Sequence, residues 1–226
     1  IYQMKKINVL VVGGGMYSIG RGTKTYGTIL PALLEGRRQN IVGKICVATT
    51  NESTANNVRN IFSKLSELMG VDGQCEFFPK SGTDPTAYLK AADEFKPEAT
   101  VVSVPDHLHS EICISLINKG LHCLVVKPMA PTTKEAKAMI EASKKAGVVA
   151  EVEFHKRFDE SNILMQNKIQ SGELGDLLYA VIEYSQQKRM PTELFSSWSN
   201  KTNVFQYLGV HYVDLIQFVT GFKPLK

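Results

Sequence analysis

Two ionisable residues in an otherwise apolar helix require a reason. Tyr207, His211, Asp214 and Phe218 are spaced by four, three and four, so they share one helical face, while Leu208, Val210, Val213, Leu215, Ile216 and Val219 cover the rest. Residues three apart on a helix can touch, so a buried His211–Asp214 pair can satisfy itself. In a functional reading the carboxylate instead orients His211 as a proton donor. Two ligands lacking a third make a poor metal site, and no metal is expected. A lysine stands at a second chemically useful place. Lys127-Pro128 closes the apolar run Leu121–Val126, and a proline there, able to adopt the cis form, would hold the ammonium group in a set direction.

A third feature is the turn after the apolar run Ile7–Val12: Gly13-Gly14-Gly15-Met16-Tyr17-Ser18-Ile19-Gly20 approximates Gly-x-Gly-x-x-Gly, with Ser18 in the third glycine's place. Glycines let a backbone turn tightly and approach a pyrophosphate held by N–H groups at the next helix start. Glycine recurs at Gly22 and Gly27, and Pro31 is tolerated only near a first turn, so the helix is expected from about Thr28. The intervening loop, with Arg21 and Lys24, is expected to cover the pyrophosphate. A ligand-free glycine loop is the alternative; the strand before it and the βαβ units after it favour a dinucleotide, NAD or NADP. The second strand's end, Val47-Ala48-Thr49-Thr50-Asn51-Glu52-Ser53, lacks an acid where NAD-specific sites grip the ribose. A register shift of one would bring Glu52 there and restore NAD preference, whereas Thr50, Asn51 and Ser53 with Arg59 would tolerate NADP. Both cofactors stay open on these residues.

The elements that must position these groups alternate. Ile7–Val12, Ile41–Thr49, Ala99–Val104, Leu121–Val126 and Val148–Val152 are short apolar strands, and Glu52–Met69, Ala87–Phe95, Leu108–Lys119 and Lys134–Ala146 carry apolar residues at helical spacing. This is a doubly wound α/β pattern with a parallel sheet, and ligands of such folds bind at the carboxyl ends of the strands. The fourth strand ends there in Ser103-Val104-Pro105-Asp106-His107-Leu108-His109. Asp106 is expected to cap the following helix; His109 faces either the nicotinamide or a neighbouring loop. Lys127 points at the same crevice, where desolvation beside a cationic ring favours the neutral amine and suits it to proton transfer. A first domain, 1–153, is therefore expected, and a partial α+β domain, 154–226, with helices at Glu160–Gln170 and Phe205–Thr220 and a strand at Leu177–Gln187. One strand makes no stable sheet, so the chain is read as truncated or completed by another chain.

Bulk properties exclude other classes. The 226 residues are 43% apolar and 21% charged, as in an ordinary globular protein. No apolar run approaches the ~20 residues needed to cross a bilayer, and the N-terminus lacks a secretory pattern, so no membrane association and a cytoplasmic location are expected. Ile1-Tyr2-Gln3 reads as a tag remnant before a start at Met4. The net charge of +4 is spread along the chain, which suits a small anionic ligand and not nucleic acid. Cys46, Cys75, Cys113 and Cys123 form no Cys-x-x-Cys pair and read as reduced core thiols.

Taken in order, these motifs resemble those of the glucose-fructose oxidoreductase and inositol dehydrogenase (Gfo/Idh/MocA) family. Val104-Pro105-Asp106-His107-Leu108-His109 is similar to its Thr-Pro-Asn-x-x-His loop, Lys127-Pro128 to its Glu-Lys-Pro motif, and Gly209-Val210-His211-Tyr212-Val213-Asp214 to its Gly-x-His-x-x-Asp helix. Phe154-His155-Lys156-Arg157-Phe158 resembles the strand that lines its substrate pocket. The resemblance implies a Rossmann domain followed by the start of an open-sheet domain that dimerises or tetramerises. It implies hydride transfer between NAD(P) and a sugar, nucleotide-sugar or cyclitol hydroxyl. Lys127, His211, Tyr207 and Asp214 would then be catalytic, with His155 and Arg157 joining Lys127, Tyr207 and His211 around the substrate. The cofactor would lie against Gly13, Gly15, Met16, Tyr17, Arg21, Thr50, Asn51, Val104, Pro105, His109, Lys127 and Pro128. Val126 replaces the motif's glutamate, and Tyr207 stands where many members have an aspartate. Those departures motivate two other readings: a non-catalytic dinucleotide-binding regulator, and an enzyme that uses NAD transiently in elimination or hydrolysis.

Overall fold

The computed structural model describes residues 5–223 and 225; the expected start at Met4 lies outside them. Six strands, β1 (Ile7–Val12), β2 (Val42–Ala48), β3 (Cys75–Phe78), β4 (Ala99–Val102), β5 (His122–Val126) and β6 (Ala150–Glu153), form one sheet in the order β3-β2-β1-β4-β5-β6. The pairings from β3 across to β5 are parallel. Helices α1 (Met16–Ile19), α2 (Ile29–Arg38), α3 (Glu52–Met69), α4 (Ala87–Phe95), α5 (His109–Ile117) and α6 (Thr133–Ala146) alternate with them. This is a doubly wound α/β domain. Strand order reverses between β1 and β4, which opens a crevice at their carboxyl ends.

Side-chain type explains why the strands lie in the middle. Leu10, Val11, Cys46 and Val47 are fully buried, so neighbouring strand residues are covered on both faces. Leu30, Leu34 and Phe62 supply the cover from α2 and α3, each contributing ~1.5–3 kcal/mol by its burial. Helix ends follow local chemistry. Asn51 caps α3 by accepting the Thr54 N–H at 2.8 Å, and Gly70 ends it in the left-handed conformation. Thr132 caps α6 by accepting the Glu135 N–H at 3.2 Å, and its hydroxyl donates to the Glu135 carboxylate at 2.6 Å.

Two elements were absent from the sequence expectation. β3 is four residues long and half-exposed in its first half, too short to show a period. α1 is a single turn inside the glycine-rich segment. The expected helix start near Thr28 is met, with Thr28 at the N-cap position of α2.

The chain separates into two compact units after Glu151. The second contains α7 (Glu160–Gln170) and α8 (Val210–Thr220), tied by a 2.8 Å bond from Gln166 Nε2 to the Phe218 carbonyl. A π-helical turn at Phe205–Gly209 leads into α8, so the expected long helix is irregular over its first five residues. Leu177–Gln187, expected as a strand, has no regular structure. A strand needs a hydrogen-bonded neighbour, and this segment has none among the described residues. Leu178, Tyr179 and Val181 are accordingly exposed. Among the described residues no helix is long and apolar enough to cross a membrane, and no group of three or more His, Cys, Asp or Glu is placed to hold a metal ion. The four cysteines are free thiols, three of them buried.

Candidate active site

The three consecutive glycines after β1 have different reasons to be there. Gly13 adopts φ +112°, donates its N–H to the Ala48 carbonyl at 2.9 Å, and approaches β4 so closely that a Cβ would lie 2.0 Å from the Ser103 carbonyl oxygen. A Cβ at Gly14 would strike Val58 and Thr49, so this glycine allows close packing on α3. Gly15, at the N-cap of α1, has nothing within 4 Å of its Cβ position. A tight turn, a close helix and an open space before a helix N-terminus together fit a dinucleotide pyrophosphate. Ser18, standing for the fingerprint's third glycine, is buried within α1, where Gly14 already provides the close approach. Met16 and Tyr17 lie in α1, and the Tyr17 carbonyl accepts the Thr28 N–H at 2.7 Å. The loop from Gly20 to Gly27 closes on itself through Thr23, which bonds the Gly20 carbonyl by both its N–H (2.9 Å) and its hydroxyl (2.8 Å). Arg21 and Lys24 on it are exposed.

At the end of β4 the chain enters a single 3-10 turn, Asp106–Leu108, before α5. Asp106 is buried in that turn. It caps neither helix start, since the cap positions fall on Pro105 and Leu108 without side-chain bonds. The helix simply begins two residues later than the cap expectation required. His109 is fully buried and reaches two backbone carbonyls: Nδ1 lies 2.7 Å from Pro128 O and Nε2 2.9 Å from Val104 O. It thus faces neighbouring loops, not a cofactor ring, and ties the ends of β4 and β5 together. Burial pushes its pKa below the usual imidazole value, while the two carbonyls and nearby Asp106 pull it back up. The Lys127–Pro128 peptide is cis; Pro128 is buried and Lys127 half-buried. Val126, in the glutamate's place, belongs to the hydrophobic core.

At the end of β2, Thr50 is exposed and Asn51 serves as the α3 cap. Arg59 does not reach this end. Its guanidinium lies 5.2 Å from the Phe77 ring centroid and donates to Asn56 at 2.9 Å, so its expected role with a cofactor phosphate is withdrawn.

In the second unit, Phe154-His155-Lys156-Arg157-Phe158, expected as strand, is mainly a 3-10 turn at His155–Phe158 following β6. The turn brings side chains to α8. Arg157 donates Nε to Asp214 Oδ2 at 2.8 Å and a second N–H to Asp214 Oδ1. The expected partner of that carboxylate was His211; the bidentate guanidinium holds it instead. His211 is buried and packs edge-on against the His155 ring, 5.1 Å between centroids, and against Phe154. Glu153 accepts from the His155 backbone N–H and faces its Nδ1, both at 3.0 Å. Glu153 was missed from sequence, although a carboxylate two residues before a histidine was a usable signal. Tyr207 sits among Phe195 and Trp198, with centroids 5.1 and 6.0 Å away.

Comparison with known proteins agrees with this geometry. Residues 7–154 match the Gfo/Idh/MocA oxidoreductase family, whose Rossmann fold is NAD-binding. D-glucoside 3-dehydrogenase of Escherichia coli is 27% identical over 150 residues, covering 63% of this chain and 40% of that protein. Levoglucosan dehydrogenase of Pseudarthrobacter phenanthrenivorans is 29% identical over 170 residues, covering 73% and 43%. This chain therefore spans less than half the length of either relative. Among solved structures, myo-inositol 2-dehydrogenase from Lactobacillus plantarum superposes with a TM-score of 0.67 at 18% identity, over 97% of this chain and 58% of that one. A complex of levoglucosan dehydrogenase with NADH and levoglucosan gives 0.68 at 20% identity, over 96% and 54%. By the match across its first domain, the chain belongs to the Gfo/Idh/MocA family of oxidoreductases.

Proposed function

We propose that the chain carries the cofactor half and part of the substrate half of an NAD(P)-dependent dehydrogenase acting on a hydroxyl of a sugar, nucleotide sugar or cyclitol. The observation that carries this reading is the neighbourhood of three features at the carboxyl ends of β1, β4 and β5: the glycine turn, the Val104–His109 segment and Lys127-Pro128, with His109 bonded to both later segments. Gly13, Gly15, Met16, Tyr17, Val104 and Pro105 would hold the dinucleotide, which when bound supplies the hydride acceptor or donor. Lys127 Nζ takes the substrate hydroxyl proton as the carbonyl forms and returns it in reduction. In the second unit, the family resemblance gives His211 a part in proton transfer and His155 and Arg157 a part in substrate binding. The names of the relatives, dehydrogenases of glucosides, levoglucosan and inositol, support a polyol-like substrate. A homodimer or homotetramer through the C-terminal sheet, in the cytoplasm, fits the exposed apolar side chains at Leu178, Tyr179 and Val181.

The test is Lys127→Ala in a polyol screen followed at the nicotinamide absorbance band, with NAD(P)H affinity measured by fluorescence. Turnover is expected to vanish while affinity stays within about tenfold, ~1.4 kcal/mol. Retained turnover would refute the role of the lysine. Binding without net reduction in the parent chain would favour a regulator or a transient user of NAD, and mass spectrometry of products separates those two.

A further inference from the structure

In dinucleotide folds an acid at the end of the second strand accepts hydrogen bonds from the adenosine ribose hydroxyls and repels a 2′-phosphate. Here β2 ends at Ala48, in register with Val12, and Gly13 N donates to Ala48 O, so the residues after β2 stand beside the glycine turn. The first, Thr49, is buried and its hydroxyl donates to the Asn51 carbonyl at 3.0 Å. The second, Thr50, is exposed, and its hydroxyl accepts from Asn51 Nδ2 at 3.3 Å. Neither carries charge.

Glu52, the nearest acid in sequence, is engaged elsewhere. Its backbone N–H donates to the Gly82 carbonyl at 2.8 Å, and its Oε2 accepts the Gly82 N–H at 3.0 Å, a reciprocal pair. The same junction is sewn to the 82–84 segment by Asp84 N to Thr50 O at 2.8 Å and by an antiparallel bridge between Asn51 and Thr83. Asp84 itself accepts from both the N–H and the hydroxyl of Thr86 and pairs with Lys90 at 3.1 Å. Each carboxylate here has a structural partner.

We infer, on the dinucleotide reading above, that the adenosine-ribose subsite is lined by the neutral Thr50 and Asn51, that Glu52 is a backbone clasp for the 82–84 segment, and that the chain admits the 2′-phosphate. NADPH then binds within tenfold of NADH. A hydroxyl and an amide hydrogen-bond a ribose hydroxyl or a phosphate oxygen with little preference, so the usual discrimination is lost.

Fluorescence titration of the intact chain with NADH and with NADPH at one ionic strength tests this. The parent affinities are expected within tenfold of each other. Glu52→Gln should leave their ratio within about threefold of the parent while lowering the melting temperature, because an amide oxygen is a weaker partner for Gly82 N–H. Thr50→Asp should weaken NADPH at least tenfold and spare NADH. Parent discrimination beyond tenfold, or an Glu52→Gln variant that loses tenfold in NADH affinity but not in NADPH affinity, would overturn the inference alone. Binding of neither nucleotide would overturn the dinucleotide reading and the inference with it.

Discussion

Replacing His109 by alanine removes a fully buried side chain whose two ring nitrogens lie against the Pro128 and Val104 carbonyls. The neutral ring carries one N–H, so one carbonyl loses its donor, at ~1–3 kcal/mol, although water entering the vacated space recovers part of it. Truncating a large buried side chain adds a cavity cost of similar order. The expected loss is about 3–5 kcal/mol, a large part of a typical domain's ~5–15 kcal/mol. His109→Gln, which keeps one N–H donor, should lose less. The pH dependence has a definite sign. Burial lowers the folded-state pKa of His109 below its unfolded value, so as pH falls the unfolded chain takes up the proton first. The contribution is fully present above the unfolded value of ~6.5 and is lost below it, down to the folded pKa, with a slope of at most about 1.4 kcal/mol per pH unit. A neutral ring donates to only one of the two carbonyls, whereas the imidazolium donates to both, which limits the loss but does not reverse its direction. Urea denaturation from pH 8 to pH 5 measures both effects. A His109→Ala variant within 0.5 kcal/mol of the parent, or a parent slope unchanged in His109→Gln, would refute the reasoning.

Gly13→Ala should destabilise the first unit by at least ~2 kcal/mol in thermal or urea unfolding, since its φ and the Ser103 carbonyl both exclude a Cβ. Gly15→Ala, with open space at its Cβ, should stay within ~0.5 kcal/mol in stability yet bind NAD(P)H more than tenfold more weakly, ~1.4 kcal/mol by titration. Asp214→Asn should cost about 1–3 kcal/mol in unfolding measurements by breaking the bidentate pair with the half-exposed Arg157. Burial pushes the pKa of the fully buried Cys46 thiol well up, so iodoacetamide should label it in the native protein far more slowly than in the urea-unfolded chain; equally rapid labelling of both would contradict that environment.

Much of the first domain was legible because its signals are local or periodic. Glu52–Met69, Ala87–Phe95 and Glu160–Gln170 occupy their expected bounds; for the first two, apolar spacing that acts within a few residues accounts for it, with the Asn51 cap on the first. β3 escaped because four residues hold no period, and its strand character comes from pairing with β2. The segment Leu177–Gln187 shows the converse: its residues favour a strand, yet pairing, which no local preference supplies, is missing among the described residues.

The candidate site divides along the same line. Sequence alone determined which residue types stand at the strand ends: glycines after β1, a histidine after β4 and a lysine-proline pair after β5, because strand ends follow from the apolar runs before them. Partner choice belonged to the tertiary structure. Asp214 reads as His211's partner three residues away, but Arg157, 57 residues earlier, holds its carboxylate; Glu52 would be a ribose acid after a register shift of one, but Gly82, 30 residues later, takes it. A hydrogen bond acts over about 3 Å, and which groups come that close across the chain depends on how distant elements pack, not on spacing along it.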